Sequence, residues 1–300
     1  MNTEKKYKGI IVPAVTPLNA SFQIDEKAVE KIFTEFYRHD ISPFILGTTG
    51  ESASLPAKLR SDYLKAAAKN KKSGSVLYAG ISSNVFDESV EFAKLCADHA
   101  VDAVAATLPS YYTLNNGQML RYFEGLADAI ALPLIIYNIP ATTHMSIPLE
   151  VIDELSMHAN IVAVKDSERS EERLMKSLEL WKERRDFGHF LGWAAKSAMA
   201  LIAGSDGLIP STGNLVPEIY STMWNAFTGK DFKEVYAMQL LSDKYGKLYQ
   251  DDKTLGESLW ALKVLMQEKG LCEAVVMPPL QPMGGEEEMK LIESLKEITS

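Results

Sequence analysis

The sequence predicts an α/β fold, a closed (β/α)8 barrel of the TIM type with a helical carboxy-terminal extension. Three observations carry that expectation. Short apolar runs alternate with longer stretches of helical periodicity, eight such runs occur in succession, and no GxGxxG fingerprint follows the first of them. Runs that are apolar throughout suit parallel strands buried on both faces. Eight units in a row suit closure better than an open doubly wound sheet.

The strands are expected at 10–16, 43–48, 76–81, 103–108, 133–138, 161–165, 188–193 and 207–211. Between them lie amphipathic stretches at 26–39, 58–71, 87–99, 116–131, 148–158 and 170–182. Pro56, Pro148 and Pro217 each stand about where a first helical turn begins, a place that needs no N–H. After the eighth unit the chain continues as helices at 230–250, 255–269 and 286–298. Residues 1–228 therefore read as the catalytic barrel and 229–300 as helices packed on it, one structural unit without linker or repeat.

Composition narrows the partners. A net charge of −9 argues against a broad phosphate-binding surface, so nucleic acid is not expected. A small anionic substrate remains compatible, because a local set of N–H donors suffices for it. The amino-terminal MNTEKKYKG lacks the apolar core of a signal peptide, and no apolar run reaches membrane-spanning length. A cytoplasmic protein without membrane contact is expected. Cys96 and Cys272 have no CxxC spacing and sit in apolar helical contexts, as buried free thiols would. The five histidines form no HxxH or HExxH pair, so no metal is expected.

In a barrel of this kind chemistry gathers where the strands end and the βα loops begin. That filter selects Thr48, Thr49, Gly50 and Glu51 after the second strand, and Tyr111 and Tyr112 after the fourth. It also selects Tyr137 and Asn138 at the end of the fifth strand and Lys165 at the end of the sixth. Lys165 closes the run IVAVK, where desolvation would lower its pKa as an imine-forming lysine requires. By itself the strand pattern favours a plainer reading, a lysine snorkelling to solvent or paired with Asp166 or Glu168.

Gly47-Thr48-Thr49-Gly50-Glu51 combines hydroxyls with exposed N–H groups, enough to hold a carboxylate without an arginine. Met in isolation it is an ordinary capped turn. Tyr137, in IIYNIP, suits a general acid/base or a packed aromatic. Tyr111 and Tyr112 cannot both face inward, which leaves one of them for a neighbouring subunit or for the surface.

Taken together, GTTGESASL, YNIP and VKDS resemble the three main motifs of the dihydrodipicolinate synthase/N-acetylneuraminate lyase family, the pyruvate-dependent class I aldolases. The intervals from Thr48 to Tyr111, Tyr137 and Lys165 match without a gap, and the likeness runs from about Tyr7 through the carboxy-terminal helices. The resemblance implies a Schiff base between Lys165 and the C2 carbonyl of pyruvate, with Tyr137 shuttling protons. It implies a relay extended by Thr48 and by Tyr111, the latter reaching in from a neighbouring subunit of a homotetramer, a dimer of dimers. Thr49 and the turn flanked by Gly47 and Gly50 would grip the pyruvate carboxylate, and Gly192 and Ile209 would line the pyruvyl pocket. No metal or organic cofactor is implied, because the protonated imine is itself the electron sink.

The departures bear on the second substrate. Thr142 occupies the position of the synthases' carboxylate-binding arginine. Asn84 and Glu88 match the family's feedback site for lysine, but Ala57, Arg60 and Ser110 stand where histidines and a tyrosine are typical. Ala194 and Ala195 replace the acidic residues that hold sugar hydroxyls in sialic-acid lyases, whereas Ser211 matches their hydroxyl-binding serine. The expected enzyme is a Schiff-base lyase or aldolase that joins or cleaves pyruvate and an aldehyde, the 2-oxo acid being of the 2-keto-3-deoxy sugar acid kind. The alternatives are a 4-hydroxy-tetrahydrodipicolinate synthase, a 2-keto-3-deoxy acid dehydratase and a non-catalytic 2-oxo acid sensor.

Overall fold

The computed structural model describes residues 5–299. Eight strands close in sequential order into a barrel with helices between them, as expected. They are β1 (Gly9–Pro13), β2 (Ser42–Ile45), β3 (Tyr78–Gly80), β4 (Ala103–Ala106), β5 (Leu134–Asn138), β6 (Ile161–Asp166), β7 (Gly188–Leu191) and β8 (Gly207–Leu208). Most are shorter than the apolar runs that announce them. β2 stops at Ile45 because Leu46 takes a left-handed backbone, φ 56°, which ends the extended run before Gly47. β8 keeps two residues, and the chain turns into a 3-10 segment at Ser211–Asn214. The short helices Pro140–Thr143 and Ser197–Ile202 were not among the expected elements.

The chain forms two compact units. One comprises the residues up to Ile11 with Val76–Pro210; the other comprises Val12–Ser75 with the chain from Ser211 onward. In the first unit, β3 through β8 pair in parallel, each with the next, and β1 joins β8 through Gly9 and Ile10. These strands are almost wholly buried, which is why their sequences are apolar without alternation.

The register between β5 and β6 positions the residues of interest. Leu134 pairs with Ile161, but Ile135 pairs with Ala163, so Val162 is passed over. From there Tyr137 faces Lys165 and Asn138 faces Asp166. A bulge of one residue exchanges the faces that the following side chains occupy.

In the second unit, helix Leu255–Glu268 is buried from Ser258 through Met266, including the charged Lys263. Its amino terminus is closed by a capping box between Thr254 and Glu257. Lys263 ion-pairs with Glu51, and neither side chain has any solvent exposure. The ammonium also donates to the Val275 carbonyl at 2.6 Å, and Glu51 accepts from the Met277 N–H at 2.7 Å. A charge buried this deeply is tolerated only when paired and hydrogen-bonded, and here both groups are.

Candidate active site

Lys165, next to last in β6, has its side chain inside the protein, 3% exposed, beside Tyr137 at 5%. Its Nζ lies 3.8 Å from the centroid of the Tyr137 ring. Burial strips the ammonium of water and lowers its pKa from the ordinary lysine value; the charge and the hydrogen bond of the Tyr137 phenol push back more weakly. The amine is thereby biased toward the neutral, nucleophilic form.

Neither plainer reading of Lys165 holds. Its burial rules out snorkelling. Asp166 turns the other way: Oδ2 accepts from Arg173 Nε at 2.7 Å, and Oδ1 from Asn138 Nδ2 at 3.0 Å and the Glu168 N–H at 2.9 Å. Glu168 is likewise engaged, by Asn138 at 3.1 Å and by Ser146 Oγ at 2.6 Å. Strand alternation explains the split, since Tyr137 and Lys165 share one face of the sheet and Asn138 and Asp166 the other.

The first unit also holds several of the other anticipated residues. The Gly192 N–H donates to the Asp166 carbonyl at 2.7 Å, tying the end of β7 to that of β6. A Cβ at Gly192 would meet Ser167 Oγ, which would have to turn away, and would lie 3.3 Å from the Asp166 carbonyl oxygen. Ile209 is buried and its N–H donates to the Leu191 carbonyl at 2.8 Å. Thr142 is half-buried on the helix Pro140–Thr143, its hydroxyl 3.3 Å from the Ile139 carbonyl. The neighbouring Thr143 hydroxyl lies 3.1 Å from the Ile139 carbonyl and 3.0 Å from that of Met145. Tyr111 and Tyr112 pack edge to face, 4.9 Å between centroids, and remain 78% and 74% exposed.

The second unit holds the Gly47–Glu51 turn and Ser211. Gly50 is hemmed in, since a Cβ there would lie 3.1 Å from the Ala14 carbonyl oxygen and the Leu46 nitrogen. Its carbonyl accepts from the buried Thr16 hydroxyl at 2.6 Å, and Glu51 closes the turn with a left-handed φ of 57° and an N–H to the Thr48 carbonyl. Thr49 is buried and Thr48 half-buried. Ser211 Oγ pairs with the Tyr249 phenol at 2.8 Å, which also meets Thr212 Oγ1 at 2.9 Å. Cys96 and Cys272 are buried free thiols, as expected.

Sequence reading selected Asn138 and named Asp166 only as a candidate partner of the lysine; it missed Arg173 and the set that the three form. It also missed Lys263 as the partner of Glu51. A lone charge within the apolar stretch LWALKVLM was the available signal for the second.

Residues 6–298 match the dihydrodipicolinate synthetase family. The chain belongs to that family. Its relatives include an uncharacterized DapA-like lyase of Pyrococcus abyssi, 30% identical over 93% of this chain and 94% of that protein. A 4-hydroxy-tetrahydrodipicolinate synthase of Leuconostoc mesenteroides is 28% identical over 97% of this chain and 99% of its own length. Among solved structures, dihydrodipicolinate synthase from Bacteroides thetaiotaomicron superposes with a TM-score of 0.93 at 27% identity, covering 98% of this chain and all of that one (100%). A prophage protein of the same family from E. coli K12, solved in complex with pyruvate, gives a TM-score of 0.92 at 22% identity over 98% of this chain and 99% of its own. The barrel is thus that of the family, and the protein is an enzyme of the lyase/aldolase type. No helix among the described residues is long and apolar enough to cross a membrane.

Proposed function

We propose that this family member is a class I aldolase that holds pyruvate as an imine on Lys165. In this reading its partner is a hydroxylated aldehyde, and the preferred reaction is reversible cleavage of a 2-keto-3-deoxy sugar acid. The observation that carries the reading is the buried amine of Lys165 lying against the Tyr137 phenol, with its pKa lowered by burial.

The chemistry follows from that pair. The neutral amine attacks the C2 carbonyl, and loss of water leaves a protonated imine. Tyr137 takes the proton of the C4 hydroxyl as the C3–C4 bond breaks. The bond's electron pair becomes the C2–C3 double bond of an enamine while the imine nitrogen accepts the displaced pair. The aldehyde leaves, C3 takes the proton that Tyr137 has just received, and water hydrolyses the imine to free pyruvate and the lysine. No other electron sink is required.

Thr48 and Tyr111 would extend the proton relay, as the family resemblance implies, and the exposure of Tyr111 suits its donation to a second copy in a homotetramer. Thr49 and the N–H groups of the turn from Gly47 to Gly50 would hold the pyruvate carboxylate. Gly192 and Ile209 would line the pyruvyl pocket. Thr142, in place of an arginine, and Ser211 favour hydroxyls over a second carboxylate on the partner. The relatives named as 4-hydroxy-tetrahydrodipicolinate synthases support a second reading, condensation of pyruvate with aspartate semialdehyde, and Thr142 is the residue that weighs against it.

The test is borohydride reduction in the presence of pyruvate, followed by intact mass and peptide mapping. A stable adduct on Lys165 alone is expected. An unmodified protein, or an adduct on another lysine, refutes the assignment. Pyruvate release from a panel of 2-oxo acids then separates the two readings.

A further inference from the structure

The polar set behind the lysine is more elaborate than a strand end requires. β5 stops at Asn138 and β6 at Asp166, and these two residues face each other in register, one step beyond Tyr137 and Lys165. Their side chains are buried and joined, Asn138 Nδ2 to Asp166 Oδ1 at 3.0 Å. The guanidinium of Arg173, 11% exposed, donates through Nε to Asp166 Oδ2 at 2.7 Å and through Nη2 to the Ile147 carbonyl at 2.8 Å. Asn138 Oδ1 accepts from the Ile147 N–H at 3.1 Å. Four points are thereby fastened together: two strand ends, the first turn of helix Glu171–Trp181, and the return of the loop that starts after β5.

Backbone pairing is weakest where strands end, because fewer ladder bonds hold the last residues. Here the last residue of each strand adjoins the phenol or the amine. We infer that Asn138, Asp166 and Arg173 are positioning residues that hold the Tyr137 phenol at proton-transfer distance from whatever Lys165 carries. They act on the amine and the phenol through the two strand ends. The inference rests on the imine reading given above and adds to it a division of roles. Imine formation needs only a dry amine, whereas proton transfer at C3 needs the phenol placed to a fraction of an ångström.

Pyruvate alone supplies both readouts, so no knowledge of the aldehyde is needed. Borohydride trapping reports the imine. Exchange of the pyruvate methyl protons for deuterium, followed by NMR, reports enamine formation and reprotonation at C3. The variant of choice is the double substitution Asp166→Asn with Arg173→Met, which removes both charges and leaves neither buried alone. Asn138→Ala is the second variant, neutral and small, should the first fail to fold.

The expected result for either variant is trapping on Lys165 within about twofold of wild type at saturating pyruvate, with exchange slowed about tenfold or more and its pH profile displaced. Restoring Arg173 as lysine in a background that keeps Asp166 should recover part of the exchange rate. Wild-type exchange in a folded variant overturns the inference. So does a parallel fall of trapping and exchange, which is what a merely structural role predicts. Absence of any Lys165 adduct in the wild-type enzyme overturns the imine reading itself, and is distinguishable from both.

Discussion

Lys165 stands opposite Tyr137, and not opposite Asn138, because Val162 is left out of the pairing between β5 and β6. Had Val162 been paired in a regular register, Val164 would face the phenol and the amine would lie on the other side of the sheet, among the groups that now bind Asp166. The chemistry proposed for this enzyme therefore depends on an irregularity four residues before the end of a strand. Bulges are common next to active sites for this reason, since one residue re-aims every side chain that follows.

Tyr137→Phe separates the two roles of the pair. Removing the phenol oxygen keeps the ring, the burial and the dry surroundings of the amine, so imine trapping with pyruvate on Lys165 should persist. Proton transfer should not: methyl-proton exchange is expected to fall by about 10²–10⁴-fold. Exchange at the wild-type rate would remove Tyr137 from the mechanism.

Thr142→Arg tests the choice of partner. A guanidinium at that position offers two parallel hydrogen bonds to a carboxylate, each charge-assisted. The variant should raise kcat/KM for aldehydes that carry a carboxylate by about tenfold, the effect of one charged hydrogen bond. Uncharged hydroxy-aldehydes should lose by comparison. Steady-state kinetics on one aldehyde of each kind decide it.

Glu51 and Lys263 should dominate the single-site stability of their unit. Glu51→Gln strands a buried ammonium and Lys263→Met a buried carboxylate, each at an expected cost of about 3–5 kcal/mol. The double variant Glu51→Gln with Lys263→Met should recover most of that loss. Urea unfolding of all four proteins checks the pattern, and additive losses in the double variant would contradict it.

His189 makes stability sensitive to acid. Burial lowers its pKa from 6.5 to about 4, against the weaker upward pull of Asp166 and Asp206. Its ring lies 3.2 Å from Ser177 Oγ and 3.1 Å from Ser205 Oγ, and stacks on Trp181. A depressed folded value means the unfolded chain binds the extra proton first. The contribution is whole above pH 6.5 and is lost as pH falls through 4, for a total of about 3 kcal/mol. His189→Gln should flatten this part of the stability profile between pH 6.5 and 4; an unchanged slope would assign the acid sensitivity elsewhere.

Much of this was legible in the sequence, for physical reasons that differ by residue. The eight strands announce themselves because parallel strands covered on both faces must be apolar throughout. Their ends do not, because an apolar run continues through Leu46 even after its backbone has turned left-handed. Lys165 and Tyr137 were found from their places at strand ends. That they meet was not readable from spacing, since skipping Val162 leaves no mark in the composition of IVAVK. Arg173 was hidden differently. It sits in the first turn of an ordinary amphipathic helix, and only the fold brings it to Asp166.

The stretch from Asn138 to Ile147 begins and ends on the same side chain, since Asn138 Oδ1 accepts the Ile147 N–H that closes it. It behaves as a cassette clipped shut at its base. Residues inside it, Thr142 among them, can be exchanged without pulling on the strand that supports the phenol. On the mechanism proposed here, the loop that would meet the aldehyde is thereby set apart from the pair that would break the bond.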